Sequence, residues 1–249
     1  MTGVQTCALP ISSDAAGNVD SETFTVTVTV PPPTVSSASP ANRGRGATNQ
    51  SISIAGTGFA SGASVSFSGT GITVNSTTFT SATSITANVT VSAGATLGVS
   101  DVTVTNPDAG NRTLVGGFTV VAPATVTAAS PTSVGVGAVT KTITVNGTNF
   151  LPTSTVAFSG TGITVNSVTF GSATSLGVVV TIATTATLGV RNVTVTSGGL
   201  PVTLTGAITL VSAPTVTGFV SGTSTAAGQA AVTRTFSITG TAFDPAATV

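Results

Sequence analysis

Apolar residues recur at every second position along most of this chain, with Ser, Thr or Asn between them. In residues 33–121 the apolar sets are Ile52/Ile54, Val65/Phe67, Ile72/Val74, Ile85/Ala87/Val89/Val91, Val102/Val104 and Phe118/Val120. A period of two sends successive side chains to opposite faces of an extended strand, so each set predicts a strand with one dry and one wet face. With 34–38 as a first strand, about seven short strands are predicted, a number that suits a two-sheet sandwich. No segment carries the 3.6-residue period of a helix.

The same pattern then returns. Residues 67–76 and 158–167 are both FSGTGITVNS, 91 positions apart, and that offset also carries Pro40 to Pro131, Gly56 to Gly147, Phe59 to Phe150 and Val102/Val104 to Val193/Val195. The second unit places Ile143/Val145, Val156/Phe158, Ile163/Val165, Leu176/Val178/Val180/Ile182, Val193/Val195 and Ile208/Leu210 at the corresponding sites. This agreement supports the register, because a slip of one residue would turn each set toward water. A unit of this length can bury a core of its own, unlike solenoid repeats of about 20–50 residues.

Composition narrows the function classes. Charged residues make up 5% of the 249, six basic against six acidic, with no His, Trp or Tyr. Nucleic-acid binding needs clustered Lys and Arg to displace counterions, and this chain does not offer them. Low charge with 40% hydrophobic content argues for burial in strands rather than disorder. No run reaches eighteen apolar residues, so no membrane-spanning helix is predicted.

Both ends read differently from the middle. Residues 1–11, MTGVQTCALPI, resemble an in-frame translation of a short-read sequencing adapter and are expected not to be authentic protein. Cys7, the single cysteine, lies inside that segment, which leaves no thiol for a disulfide or a metal. Residues 12–32 read as the last hairpin of an earlier domain, with turn chemistry over 14–18 and a strand over 23–30 whose partner is expected to be missing. At the other end, 213–249 matches the opening of the repeats, Gly240 and Phe243 answering Gly147 and Phe150, as the first part of a truncated third unit. Both flanks are expected to be poorly packed.

Candidate chemistry is sparse. The acids of the two full units are Asp101 and Asp108, and the offset lands on Asn192 and Gly199, so neither recurs and nothing pairs them. Asp14, Asn18, Asp20 and Glu22 form an oxygen-rich cluster, yet without the spacing of a calcium loop, and a hairpin turn accounts for them. Arg43 and Arg45, the basic doublet, raise contact with an acidic polymer, but two charges are worth little in salt, so a soluble loop is expected. Lys141 raises an internal isopeptide crosslink, but no acid recurs beside it, so it is expected as an exposed strand-edge charge that deters sheet association. N-x-S/T triplets at Asn75 and Asn192 arise readily in Thr-rich strands. Thr alternating with Val over 25–30 suggests an ice-binding face less well than it suggests a strand with one wet side. No catalytic, cofactor-binding or metal-binding residue is expected.

Glycines mark the bends: Gly56-Thr57-Gly58-Phe59 and Gly147-Thr148-Asn149-Phe150 each end a strand and return an aromatic to the core. They cradle no phosphate, because no helix follows them. These residues, together with Ser39-Pro40 and Ser130-Pro131 at the unit starts, the V-x-F at 65–67 and the closing GGFTVV at 116–121, resemble bacterial IPT/TIG-type immunoglobulin-like repeats. The resemblance covers 33–121 and 123–212, and the first strands of 214–249. It departs at Gly206-Ala207-Ile208, which stands where the first unit has Gly-Gly-Phe. It implies all-β tandem immunoglobulin-like sandwiches, with units at 33–121 and 122–212 and incomplete units at both ends. It also implies a structural or interaction module without catalytic residues or cofactor.

Pro31-Pro32-Pro33, Ala122-Pro123 and Ala213-Pro214 sit at the joints and allow little slack, which suggests stiffly joined domains forming a rod. The resulting expectation is a non-catalytic structural or adhesive spacer of a bacterial cell-surface or secreted protein, located outside the cell. Its partners would be an unknown surface ligand or neighbouring domains, not nucleic acid. The alternative is an accessory carbohydrate-binding or spacer module of a secreted polysaccharide-degrading enzyme. Missing Trp and Tyr platforms weigh against that alternative.

Overall fold

The computed structural model describes residues 3–13, 15–16, 19–28, 31–221 and 236–243, with side chains over 15–16, 31–219 and 237–243. The chain divides into two compact units, Met1–Ala122 and Pro123–Val249. No helix occurs among the described residues, and all regular structure is strand.

In the first unit, β1 (Gly3–Ser13) pairs antiparallel with β2 (Val19–Val28), Cys7 opposite Phe24, with the register shifting between Pro10 and Ser12. The expectation that the strand within 23–30 lacks a partner is therefore corrected: residues 3–13 supply one. A ladder is built from backbone groups, so an open Thr/Val edge can accept an extended segment whatever its origin.

The eight following strands are β3 (Thr34–Ser39), β4 (Asn42–Gly44), β5 (Gln50–Thr57), β6 (Ser64–Phe67), β7 (Ile72–Ser81), β8 (Ser84–Val91), β9 (Gly98–Thr105) and β10 (Asn111–Val121). They form two four-stranded sheets in the orders β3-β5-β8-β7 and β4-β10-β9-β6. The strand beyond the predicted seven is β4. Pro40 brings no N–H to the ladder and follows the end of β3. The chain then crosses to the other sheet, where β4 runs parallel to β10.

The second unit repeats this plan with β11 (Thr125–Ser130), β12 (Ser133–Gly135), β13 (Lys141–Thr148), β14 (Thr155–Phe158), β15 (Ile163–Ser172), β16 (Ser175–Ile182), β17 (Gly189–Ser197) and β18 (Leu200–Val211). Its sheets run β11-β13-β16-β15 and β12-β18-β17-β14. A last pair follows, β19 (Thr215–Ser221) with β20 (Phe236–Thr241). It has the register break, between Val216 and Gly218, that the opening pairs β3–β5 and β11–β13 have between Val35 and Ser37 and between Val126 and Ala128.

Each repeat has a separate core at the predicted alternating positions. In the first, Ile52, Ile54, Ile85, Ala87, Val89, Val91, Val102, Val104 and Phe118 are fully buried, and Phe59 and Val65 join them. The second core holds Ile143, Val145, Leu176, Val178, Val180, Val193 and Val195 fully buried, with Phe150. Burying an aliphatic or aromatic side chain of this size is worth about 1.5–3 kcal/mol, so dry packing between the sheets stabilises each repeat without a disulfide. Phe67 meets Phe118 edge-on, ring centroids 5.0 Å apart; Ile208 occupies the second of these places in the other repeat.

The Gly-Thr-x-Phe bends behave as predicted. Phe59 and Phe150 are buried, and the residue before each, Gly58 or Asn149, is left-handed at φ 68° and 56°.

Candidate functional site

Asp101 lies near the start of β9, where the β9–β10 ladder is interrupted between Leu114 and Phe118. Its N–H donates to Ser68 Oγ at 2.7 Å, and its Oδ1 accepts the Gly116 N–H at 2.8 Å. Asn192 makes the same two bonds in the second repeat, to Ser159 Oγ at 2.8 Å and from Gly206 N–H at 3.0 Å. A carboxylate and an amide serve equally because the bulge requires an acceptor oxygen rather than a charge.

Asp108 sits in the turn between β9 and β10, its Oδ1 accepting the Gly110 N–H at 3.0 Å. That is a side chain closing its own turn. The second repeat closes the equivalent hairpin with Gly198 and Gly199 at φ 59° and 81°, a tight turn that needs no acid. Asp101 lies four residues before the end of β9, about 13 Å along the strand, and Asp108 lies beyond it. The two carboxylates are not brought together.

Three basic positions differ from expectation or add to it. Arg43 is inside β4 rather than in a loop, whereas Arg45 lies in the turn that follows β4, its N–H donating to the Val121 carbonyl at 3.0 Å. Both are half-buried. Arg43 Nη1 donates to Asn42 O at 2.9 Å and Nη2 to Ser51 O at 3.3 Å, and burial lowers its pKa from the ordinary arginine value. Lys141 is exposed, as expected, but it begins β13, which lies inside its sheet between β11 and β16. At Lys141 itself only β16 pairs with β13, because the β11 ladder ends at Thr144.

Arg191, which has Ser100 and no basic residue 91 positions earlier, is 9% exposed and shares the core-facing side of β17 with Val193 and Val195. Its Nη1 donates to Val190 O at 3.1 Å and its Nη2 to Thr187 O. Ser100 fills this place in the first repeat and is also buried. Its two Nη bonds tie the preceding loop to β17, while Arg191 Nε is buried without a hydrogen-bond partner.

Sequence reasoning also missed two buried polar latches. Asn106, 4% exposed, accepts the Ala60 N–H at 3.1 Å and donates to Gly58 O at 2.8 Å, pinning the Gly-Thr-Gly-Phe bend to the β9–β10 turn. Ser197 does this in the second repeat through Asn149 O at 3.2 Å. A polar residue in a Thr-rich chain gives no signal of this role, since the partner is more than forty residues away.

Asn75 donates toward Asn88 Oδ1 at 2.7 Å, Thr90 Oγ1 at 2.9 Å and Asn49 Oδ1 at 3.2 Å on the wet face of the first repeat. The candidate calcium cluster falls outside what is described: Asp14 and Asn18 are not described residues, and Asp20 and Glu22 are described by backbone alone. The Thr/Val run at 25–30 is described through Val28, again by backbone. Among the described residues no three His, Cys, Asp or Glu side chains gather, and no helix is long and apolar enough to cross a membrane.

No protein-family model matches the sequence, and no curated protein does. Among solved structures, the chain is similar to invasin, a bacterial integrin-binding protein, at 18% identity and a TM-score of 0.29 over 89% of this chain and 48% of that one. It therefore spans about half the length of the invasin chain. An I-band fragment of titin aligns at 17% identity and a TM-score of 0.29, over 80% of this chain and 72% of the fragment. SGBP-B of a Bacteroides ovatus mixed-linkage glucan utilization locus, in complex with a heptasaccharide, aligns at 15% and 0.29, over 84% and 54%. The fold assignment rests on the chain's own paired sheets, which make it an all-β protein of tandem immunoglobulin-like sandwiches.

Proposed function

We propose that this chain is a non-catalytic structural and adhesive spacer of a bacterial cell-surface or secreted protein, built from IPT/TIG-type repeats at 33–121 and 122–212. One observation carries the reading: where the repeats differ in acidic residues, the differing side chains perform the same structural task. Asp101 and Asn192 both accept a glycine N–H at a bulge. Asp108 and the Gly198-Gly199 pair both close a hairpin. A general acid or base depends on its proton, whereas these places call only for an oxygen or a turn. Core, bend and latch all recur, which is what a scaffold unit must keep.

The joint at Ala122-Pro123 is short, and proline fixes its own φ while restricting the residue before it. A spacer should therefore hold its repeats apart. Small-angle scattering on residues 33–212 tests this directly. The expected radius of gyration lies well above the roughly 16 Å of one compact body of that length. A value near that figure would sink the spacer reading.

A further inference from the structure

The two full repeats interrupt each of their open strand edges. β3, β7, β11 and β15 carry the extra, bulged residue on the outer strand: Ser36, Asn75 with Thr80, Thr127, and Asn166 with Gly171. The edges of the other sheets, β4, β6, β12 and β14, are three or four residues long. Bulges and brevity break the row of backbone donors and acceptors that an edge would otherwise offer to another strand. In the two-stranded ribbons, β1 contains Pro10 with a register shift beside it, β2 carries Asp20 and Glu22, and β19 is bulged at Thr217. Such guards matter in a chain with 5% charged residues, which has little repulsion to keep its copies apart.

β20 has none of these guards. Its counterparts β5 and β13 lie inside their sheets, bonded on the second side to β8 and β16. On that side the Gly56 N–H donates to Thr83 O at 3.1 Å and the Gly147 N–H to Thr174 O at 3.0 Å. Gly240 holds the same place, enclosed by Thr215 O and the Phe243 ring as Gly147 is by Thr125 O and Phe150. Alternation along an antiparallel ladder turns the N–H groups of Phe236, Ile238 and Gly240 to this one side. Among the described residues no strand lies there, and the edge is six residues long, unbulged, and without charge or proline. The ribbon also sets Phe219 opposite Ile238, where the second repeat has Ala129 opposite Val145 in its core. Ala129 is buried, whereas Val216, Phe219 and Phe243 are exposed.

We propose that β20 is a self-association strand, pairing antiparallel with β20 of a second copy to give a four-stranded sheet β19-β20-β20-β19 across a two-fold axis. Four strands is the width of every sheet in the full repeats. A second copy suits this edge because the pairing is self-complementary. An axis at Ile238 sets Ile238 against Ile238 and Phe236 against Gly240, and each ribbon continues the exposed apolar face of the other. Residues 214–221 and 236–243 carry no charge, so nothing along the seam repels a like strand. A seam of six residues is far below the size of a stable dimer interface, and association is expected on the order of 10–100 μM. The inference stands whether or not the chain is a spacer, and the scattering experiment on 33–212 omits β20 and reads that other question.

The test is sedimentation velocity of the full chain from about 2 to 200 μM, with amide hydrogen exchange at both ends of that range. The wild-type chain is expected to pass from monomer to dimer, and the Ile238 and Gly240 amides to exchange about threefold or more slowly at the higher concentration. Ser237→Lys/Thr239→Lys changes two exposed residues of β20 and sets like charges opposite each other across the axis. It should weaken association about tenfold or more. Thr169→Lys, an exposed position on the bulged edge β15, should associate as wild type. The exchange comparison uses the wild-type chain, so it decides the matter even if the lysine pair disrupts the ribbon. A monomer at every concentration, a dimer in which Ile238 and Gly240 exchange unchanged, undiminished association of the lysine pair, or an equal loss with Thr169→Lys would overturn the proposal.

Discussion

Gly56 lies where β5 passes beneath the Phe59 ring, and a Cβ there would overlap the Thr34 carbonyl oxygen and come within 2.5 Å of Phe59 Cζ. Gly147 and Gly240 are enclosed in the same way by Thr125 and Phe150, and by Thr215 and Phe243. One obstacle is backbone, so it cannot rotate aside. Gly56→Ala should cost about 2–3 kcal/mol as an overpacked site, read from urea denaturation, whereas Gly58→Asn, the second repeat's choice, should stay within about 0.5 kcal/mol. Asp101 supports a contrasting prediction. Asp101→Asn should leave stability unchanged because Asn192 performs the same role, while Asp101→Ala should lose about 0.5–1.5 kcal/mol with the bond to Gly116. If the Asn variant proves as damaging as Ala, the carboxylate has a task that the bulge does not explain.

Strands β10 and β18 show how one plan tolerates different fillings. Phe118 makes an edge contact with Phe67, and Ile208 replaces it across the repeat. Phe118→Ile should therefore cost only about 1 kcal/mol, the order of one aromatic pair, while Phe118→Ala should cost about 3–5 kcal/mol; thermal melts of the pair would separate them. Strand β7 shows where alternation stops being a guide. Its ladder with β8 shifts between Val74 and Ser76, so the inner face continues at Thr77 and Phe79, opposite Ala87 and Ile85. Strict alternation from Val74 would have placed Ser76 and Thr78 there. β4 was hidden for a related reason: three residues are too few to show a period, and its inward position holds Arg43 where β12 holds Val134.

At the scale of the molecule, the two buried clusters run from Ala38 to Val120 and from Ala124 to Leu210, and they share no residue. Residues 33–121 and 123–212 should each fold when expressed alone, with a melting temperature within a few degrees of the corresponding transition in the longer chain. Failure of either piece to give a cooperative transition would show that a repeat depends on its neighbour. With cations held by carbonyls rather than carboxylates, stability should also depend little on salt, shifting by less than about 2 °C between roughly 0.05 M and 0.5 M sodium chloride.

The sequence by itself determined the strand faces, the repeat and both cores, because side-chain alternation is local and each unit states it twice. It also located the bends, since Gly56, Gly147 and their aromatic partners stand within a few residues of one another. Only the tertiary structure decided what the polar and charged residues do. Asp101 with Gly116, Asn106 with Gly58 and Arg43 with Ser51 are contacts across strands, made by residue types that a Thr-rich chain scatters everywhere. Burial at those places is set by which strands meet, a non-local fact. The 91-residue comparison between repeats therefore gained its meaning from the fold: the exchange of Asp101 for Asn192 preserves a bond, whereas the exchange of Arg43 for Val134 leaves a charge without a partner carboxylate.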